Sequence, residues 1–188
     1  MIWQKRECER ACGQTQIGTL VHTRVSAFKE MNIEIVEFRE NFAEAFADLN
    51  YEWIEKAYTI EAHDREILDH PIEQIIEPGG QIFFALVNGE PAGTVALIEM
   101  GDDAFELAKM AVSPDHRGEG LSNLLMDACI EYSRAKGKSS IILESNTKQV
   151  AAIKLYRKYG FVETPLDPNS QFVRANIRME LAISDSKL

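Results

Sequence analysis

The stretch VSPDHRGEGLSNLLMDACIEY, residues 112–132, carries an apolar run into an amphipathic helix through a glycine-rich, cationic corner. Val112 ends a β-prone segment, Ser113-Pro114-Asp115 makes a turn, and Arg117, Gly118 and Gly120 stand directly before the helix. Leu121, Leu124, Leu125, Ala128, Cys129 and Tyr132 then recur at the spacing of one helix face. Gly137 is placed to close that helix as its C′ residue. A helix N-terminus leaves amides unpaired and carries roughly half a positive charge. Glycines let an anion approach the backbone, and an arginine adds a charge-assisted donor. RGEGLS (117–122) therefore reads as a pyrophosphate cradle; taken alone, the same residues also make a tight turn and cap.

Working outward, the pattern predicts alternating strands and helices. NIEIVEF (32–38) alternates like a strand, and Phe42, Phe46, Leu49, Trp53 and Ala57 fall at helical spacing. Asp64 is placed to cap a short second helix through Ile67 and Leu68, interrupted at Pro71. Ile72, Ile75 and Ile76 suggest one further turn before Pro78-Gly79-Gly80. QIFFALVNGEPAGTVALIEM (81–100) holds Asn88-Gly89 between two β-rich runs, a strong hairpin signal. AFELAKMAV (104–112) supplies the next strand, and SSIILES (139–145) another. Ala152, Leu155, Tyr156 and Tyr159 stripe a last helix, stopped by Gly160, and FVET (161–164) and FVRANIRMEL (172–181) read as strands. The expected order is β-α-α-β-β-β-α-β-α-β-β.

Composition narrows the classes. A chain of 188 residues, 45% hydrophobic, suits one domain with a full core. Residues 1–30 are polar and slightly basic without periodicity, so the expected organisation is a poorly ordered N-terminal extension over 1–30 and a single domain over 31–188. No apolar run reaches roughly 18 residues, and no secretory pattern opens the chain. Neither a membrane nor nucleic acid is expected as a partner, because the net charge is −10 and phosphate backbones require a basic surface. Three cysteines (Cys8, Cys12, Cys129) form no framework, which suits a reducing cytoplasm, and no metal-ligand spacing is present. The glycine-lysine pattern of nucleotide triphosphatases is absent, as is the glycine triplet of a dinucleotide fold.

Two blocks together resemble the GNAT superfamily of acetyl-CoA-dependent N-acetyltransferases. The family's phosphate motif, Q/R-x-x-G-x-G/A, follows a strand ending in an apolar-Val pair and a Ser-Pro turn. Here Arg117, Gly118, Glu119, Gly120, Leu121 and Ser122 occupy it, with Ser122 where the family has Gly or Ala. The second block, an Asn followed by A..LY..GF, appears as Asn146 and AAIKLYRKYGF (151–161). The spacing fits, and the order of elements matches from Ile33 to Leu181, excluding the first 30 residues.

The resemblance implies an α/β fold with a mixed, mostly antiparallel central sheet flanked by helices. It implies acetyl-CoA as co-substrate, bound where strand 104–112 and the strand after Ser139 part, and a small-molecule or peptide amine as acceptor. It allows a homodimer. It places the general acid at Tyr156 and a candidate base at Glu106. It also assigns Met110, Ala111 and Val112 as backbone partners of the pantetheine arm, with Asn146 beside them. From the residues alone, Tyr156 can equally be one of the core stripe, Glu106 a solvent-facing carboxylate, and Asn146 a turn cap. Lys109 and Glu144, charged within apolar strands, either pair with each other across the sheet or stand exposed to solvent. Cys129 lies on the predicted buried face, which disfavours a covalent acetyl-cysteine and favours direct attack. A non-catalytic acyl-CoA-binding regulatory or sensing module is the alternative. Residues 31–78 carry thirteen Asp/Glu against three Lys/Arg, in the part that walls the acceptor in the resembled family, so a cationic acceptor is expected, although the same carboxylates can equally form a solvated face.

Overall fold

The structure, a computed structural model, describes residues 31–166 and 173–183. The expected extension over 1–30 lies outside them. Described elements run β1 (Ile33–Glu37), α1 (Ala43–Ala57), α2 (Ala62–Asp69), β2 (Gln81–Val87), β3 (Glu90–Glu99), β4 (Ala104–Val112), α3 (Leu121–Ala135), β5 (Ser140–Ser145), α4 (Val150–Lys158), β6 (Val162–Thr164) and β7 (Ile177–Ala182). That is the predicted order. The strands form a seven-stranded sheet in the order β1-β2-β3-β4-β5-β7-β6. Among the described residues only β4 and β5 pair in parallel. Helix α3 makes the crossover that a parallel pair requires.

The sheet is covered on both faces, which is why β2 reads as one apolar run. Ile82, Phe84 and Leu86 point into a core with Phe46, Ile54 and Leu68 of α1 and α2. Phe83, Ala85 and Val87 point the other way, toward Leu121, Leu125 and Cys129 of α3 and Tyr156 of α4. The β2–β3 hairpin turns at Asn88 and Gly89, with φ of 54° and 91°. Such a left-handed pair matches the twist of the flanking strands, as the Asn-Gly signal predicts.

Several faces are rotated from their expected positions. In α1 the buried set is Phe46, Asn50 and Ile54, while Ala57 is exposed. Asn50 hides its polarity by donating to the Phe46 carbonyl at 2.9 Å and accepting from Trp53 Nε1 at 3.2 Å. A polar residue at a core position masked the true stripe. In α3, Met126 and Ser133 are buried and Leu124 is 39% exposed. Residue 64 is not the cap of α2: Glu61 holds that place, and Asp64, in the first turn, accepts the Glu61 amide at 3.0 Å. Strand β7 begins at Ile177 rather than at 172, and Val173 is exposed.

Two features of β4 shape the site. It pairs with β5 only over Ala104–Glu106 against Ser140–Ile142. Both strands then continue, to Val112 and Ser145, without pairing with each other. On its other edge the register with β3 shifts, so that Thr94 faces Ala111 while Ala96 faces Ala108. Lys109 and Met110 together oppose Val95, and Lys109 takes a φ of 52° at this bulge.

Candidate active site

A pocket opens where β4 and β5 part. Glu106 and Met110 line it from β4, Glu144 and Asn146 from β5 and the turn after it, and Tyr156 from α4. Trp53 of α1 and Arg174 complete its outer side. The two residues expected to handle protons, Glu106 and Tyr156, therefore share one cavity although they come from different elements.

Their surroundings set opposite protonation behaviour. Burial first, and then the Glu144 carboxylate, push Glu106 up from 4.5 to about 7, against the opposing pull of Lys109 and Arg178. A carboxylate so placed accepts a proton near neutral pH. Tyr156 is 7% exposed, tilted against Phe161, and burial pushes its hydroxyl up to about 12. It keeps its proton at neutral pH and can give it up only to a strong base. Cys129 is fully buried and burial raises its thiol well above the ordinary range, so it has no nucleophilic form at hand.

A groove continues from this pocket along the open edge of β4. Met110, Ala111, Val112 and Arg117 line one side, and Lys148, Gln149 and Ala152 the other. It leads to the turn that precedes α3. There Gly118 and Gly120 have φ of 84° and 87°, and a Cβ at either would meet nothing within 4 Å, so the approach to the backbone is open. Gly120 is the residue before α3, and no acidic residue sits in the first turn. The Asn123 amide reaches the Gly120 carbonyl at 2.9 Å. Leu121 sends its side chain into the core, leaving its backbone at the turn, and Ser122 is half-buried beside it. Arg117 is held over the end of β4 by a 3.4 Å bond from Nε to the Val112 carbonyl. The His116 ring and Glu119 pair at 2.9 Å on the exposed side. This arrangement, open glycines, first-turn amides and two cations on one groove, fits a diphosphate with an extended arm.

Asn146 is engaged at both ends of its side-chain amide. Its Nδ2 donates to the Arg174 carbonyl at 2.6 Å, and its Oδ1 accepts the Lys148 amide at 2.9 Å. The expected partner of Lys109 was Glu144; the structure sets Asp64 against it at 2.6 Å. The residues the sequence did not single out are Trp53, Lys148, Gln149, Arg174 and the buried role of Asp64. Arg174 carried no local signal, since it lies in an irregular segment ahead of β7. Among the described residues no cluster of His, Cys, Asp and Glu suits a metal ion, and no helix is long and apolar enough to cross a membrane.

Comparison with known proteins identifies the family. The profile of the Acetyltransferase (GNAT) family matches residues 40–161. N-acetyltransferase 8B of Rattus norvegicus is 32% identical over 91 residues, 45% of this chain and 41% of that protein. An uncharacterized N-acetyltransferase of Methanocaldococcus jannaschii is 34% identical over 88 residues, 43% of this chain and 38% of that protein. The chain thus spans well under half the length of these curated relatives. A GNAT-family acetyltransferase of Staphylococcus aureus superposes with a TM-score of 0.74 at 21% identity, over 81% of this chain and 100% of the other. The PaiA N-acetyltransferase of Thermoplasma acidophilum, solved in complex with coenzyme A, gives 0.67 at 18% identity over 81% and 99%. At such identities the likeness shows the fold.

Proposed function

Because the chain belongs to the Acetyltransferase (GNAT) family, we propose that it moves an acetyl group from acetyl-CoA to a primary amine by direct attack in a ternary complex. The observation that carries this is the shared pocket of Glu106 and Tyr156, one near neutrality and the other firmly protonated.

The acyl-CoA pyrophosphate lies on the turn of Gly118, Glu119 and Gly120 and the first amides of α3, at Leu121 and Ser122, with Arg117 and Lys148 facing it. The pantetheine arm follows the unpaired edge of β4 along Met110, Ala111 and Val112, as an added strand would. Asn146 bounds its far side through the turn it caps. An ordinary alkyl ammonium has a pKa of about 10.4, so the amine needs a base. Glu106 takes that proton, directly or through water, and the freed lone pair attacks the thioester carbon. A backbone amide of the β4 bulge donates to the resulting oxyanion. As the C–S bond breaks, Tyr156 gives its proton to the leaving sulfur, and the products are the N-acetyl amine and CoA thiol. The nitrogen, positively charged in the tetrahedral adduct, gives up its second proton through water to the tyrosinate, which restores Tyr156, and Glu106 releases the first to solvent.

The acceptor is a cation in this proposal. The acidic surplus of residues 31–78, on β1, α1, α2 and the segments flanking them, would concentrate ammonium groups near the pocket. A screen of amines with acetyl-CoA, reading free thiol, tests the function. Acetyl-CoA binding without thiol release from any amine would leave a non-catalytic acyl-CoA-binding module instead.

A further inference from the structure

Beyond Glu106 and Ile142 no pairing holds β4 to β5, yet the pocket between them has definite walls. One buried carboxylate links them, directly to Lys109 on β4 and through Arg174 to the turn after β5. Asp64, on α2, is fully buried. From the β4 side Lys109 Nζ donates to its Oδ1 at 2.6 Å; Lys109 is itself only 7% exposed and stands at the bulge beside Met110. From the other side Arg174 grips the same carboxylate with both ends of its guanidinium, Nη1 to Oδ2 at 2.6 Å and Nη2 to Oδ1 at 2.7 Å. The Arg174 carbonyl in turn accepts from Asn146, the residue that follows β5. A continuous path of four residues, Met110's neighbour Lys109, Asp64, Arg174 and Asn146, thus spans the gap that the sheet leaves open.

Stability alone gives a weak account of this cluster. A buried acid between two cations is costly to desolvate, and apolar residues of similar volume often serve a core as well. The Glu61 amide that Asp64 also satisfies needs only one of its oxygens. A non-glycine residue held at positive φ within a strand persists where its surroundings over-determine it, and the Asp64 contact does that for Lys109.

We infer that Asp64 is a positioning residue whose carboxylate ties the β4 bulge to the end of β5 and so fixes the width of the cleft that holds the pantetheine arm. This rests on the proposed acetyl-CoA site. The phosphate turn is outside the tie, because it is formed by the segment between β4 and α3. Loss of the tie therefore acts on the arm and not on the phosphates.

The test compares two ligands by calorimetry: CoA, and 3′-phospho-ADP, which keeps the diphosphate and lacks the arm. Two variants are used, Asp64→Asn and the apolar triple variant Asp64→Leu, Lys109→Met, Arg174→Met, the second guarding against misfolding from unpaired buried cations. Measurements are made where circular dichroism shows each variant folded. The expected result is a Kd for CoA raised about tenfold or more in a folded variant, with the Kd for 3′-phospho-ADP unchanged. Parent-like CoA binding in the triple variant, or equal weakening of both ligands, overturns the positioning role. If the parent bound neither ligand, the acetyl-CoA site itself would fall, and this inference with it.

Discussion

Glu106 on β4 and Tyr156 on α4 face one pocket, and burial moves both titrations upward, to about 7 and about 12. The same physical cause therefore leaves one group able to exchange a proton near neutral pH and the other protonated there, because a carboxyl starts low and a phenol starts high.

Replacing Tyr156 with Phe removes only the hydroxyl from a packed ring. The fold and the affinity for acetyl-CoA should persist, while kcat falls by about 100-fold, the usual share of a positioned acid. Pre-steady-state kinetics at saturating substrates measure this. An unchanged kcat would make Tyr156 a core residue and nothing more.

Glu106 predicts a pH signature in activity and in stability. kcat/KM should rise through about pH 7 as the carboxyl loses its proton, and Glu106→Gln should abolish that limb. For stability the sign is the reverse of an ion-paired carboxylate. The folded value lies above the unfolded one, so the fold favours the protonated form. A destabilising contribution grows as pH rises from about 4.5 and is complete above about 7. Glu106→Gln should therefore melt a few degrees above the parent at pH 8 and level with it at pH 4. A Tm difference that does not change with pH would mean that Glu106 is not buried as an acid.

Arg117→Glu places a like charge against the pyrophosphate. CoA and dephospho-CoA should both bind about tenfold more weakly or worse, since both keep the diphosphate that a charge-assisted donor would hold. Calorimetry decides this, and parent-like affinity for either would move the phosphates away from the turn.

The acidic surplus of residues 31–78 should steer the acceptor. For a cationic amine, kcat/KM should fall between low and physiological salt, as screening shortens to roughly 8 Å. Neutral or acidic amines as the best acceptors, with no salt effect, would return these carboxylates to a solvated surface.

Much of the fold was legible because its signals are local. The Asn88-Gly89 turn, the two-residue alternation of the strands and the glycines before α3 each act within a few residues of chain, so their geometry follows from their own chemistry. The element order and the glycine turn before α3 could be read in the same way. The helix faces were read less well. Asn50 and Ser133 occupy core positions because neighbouring backbone carbonyls satisfy them, and hydropathy gives no sign of that.

By itself, then, the sequence determined which segments become strands and helices, and it marked Arg117–Ser122, Glu106 and Tyr156 as candidates. Tertiary packing decided what those candidates meet. Lys109 meets Asp64 from a helix that begins far earlier in the chain, and Arg174 meets the same carboxylate from beyond β6. Glu106 is raised by its burial and by Glu144 on a neighbouring strand. Charge pairing and desolvation depend on distances of a few ångströms between residues remote in sequence. Such distances exist only once the sheet has formed and its two central strands have parted.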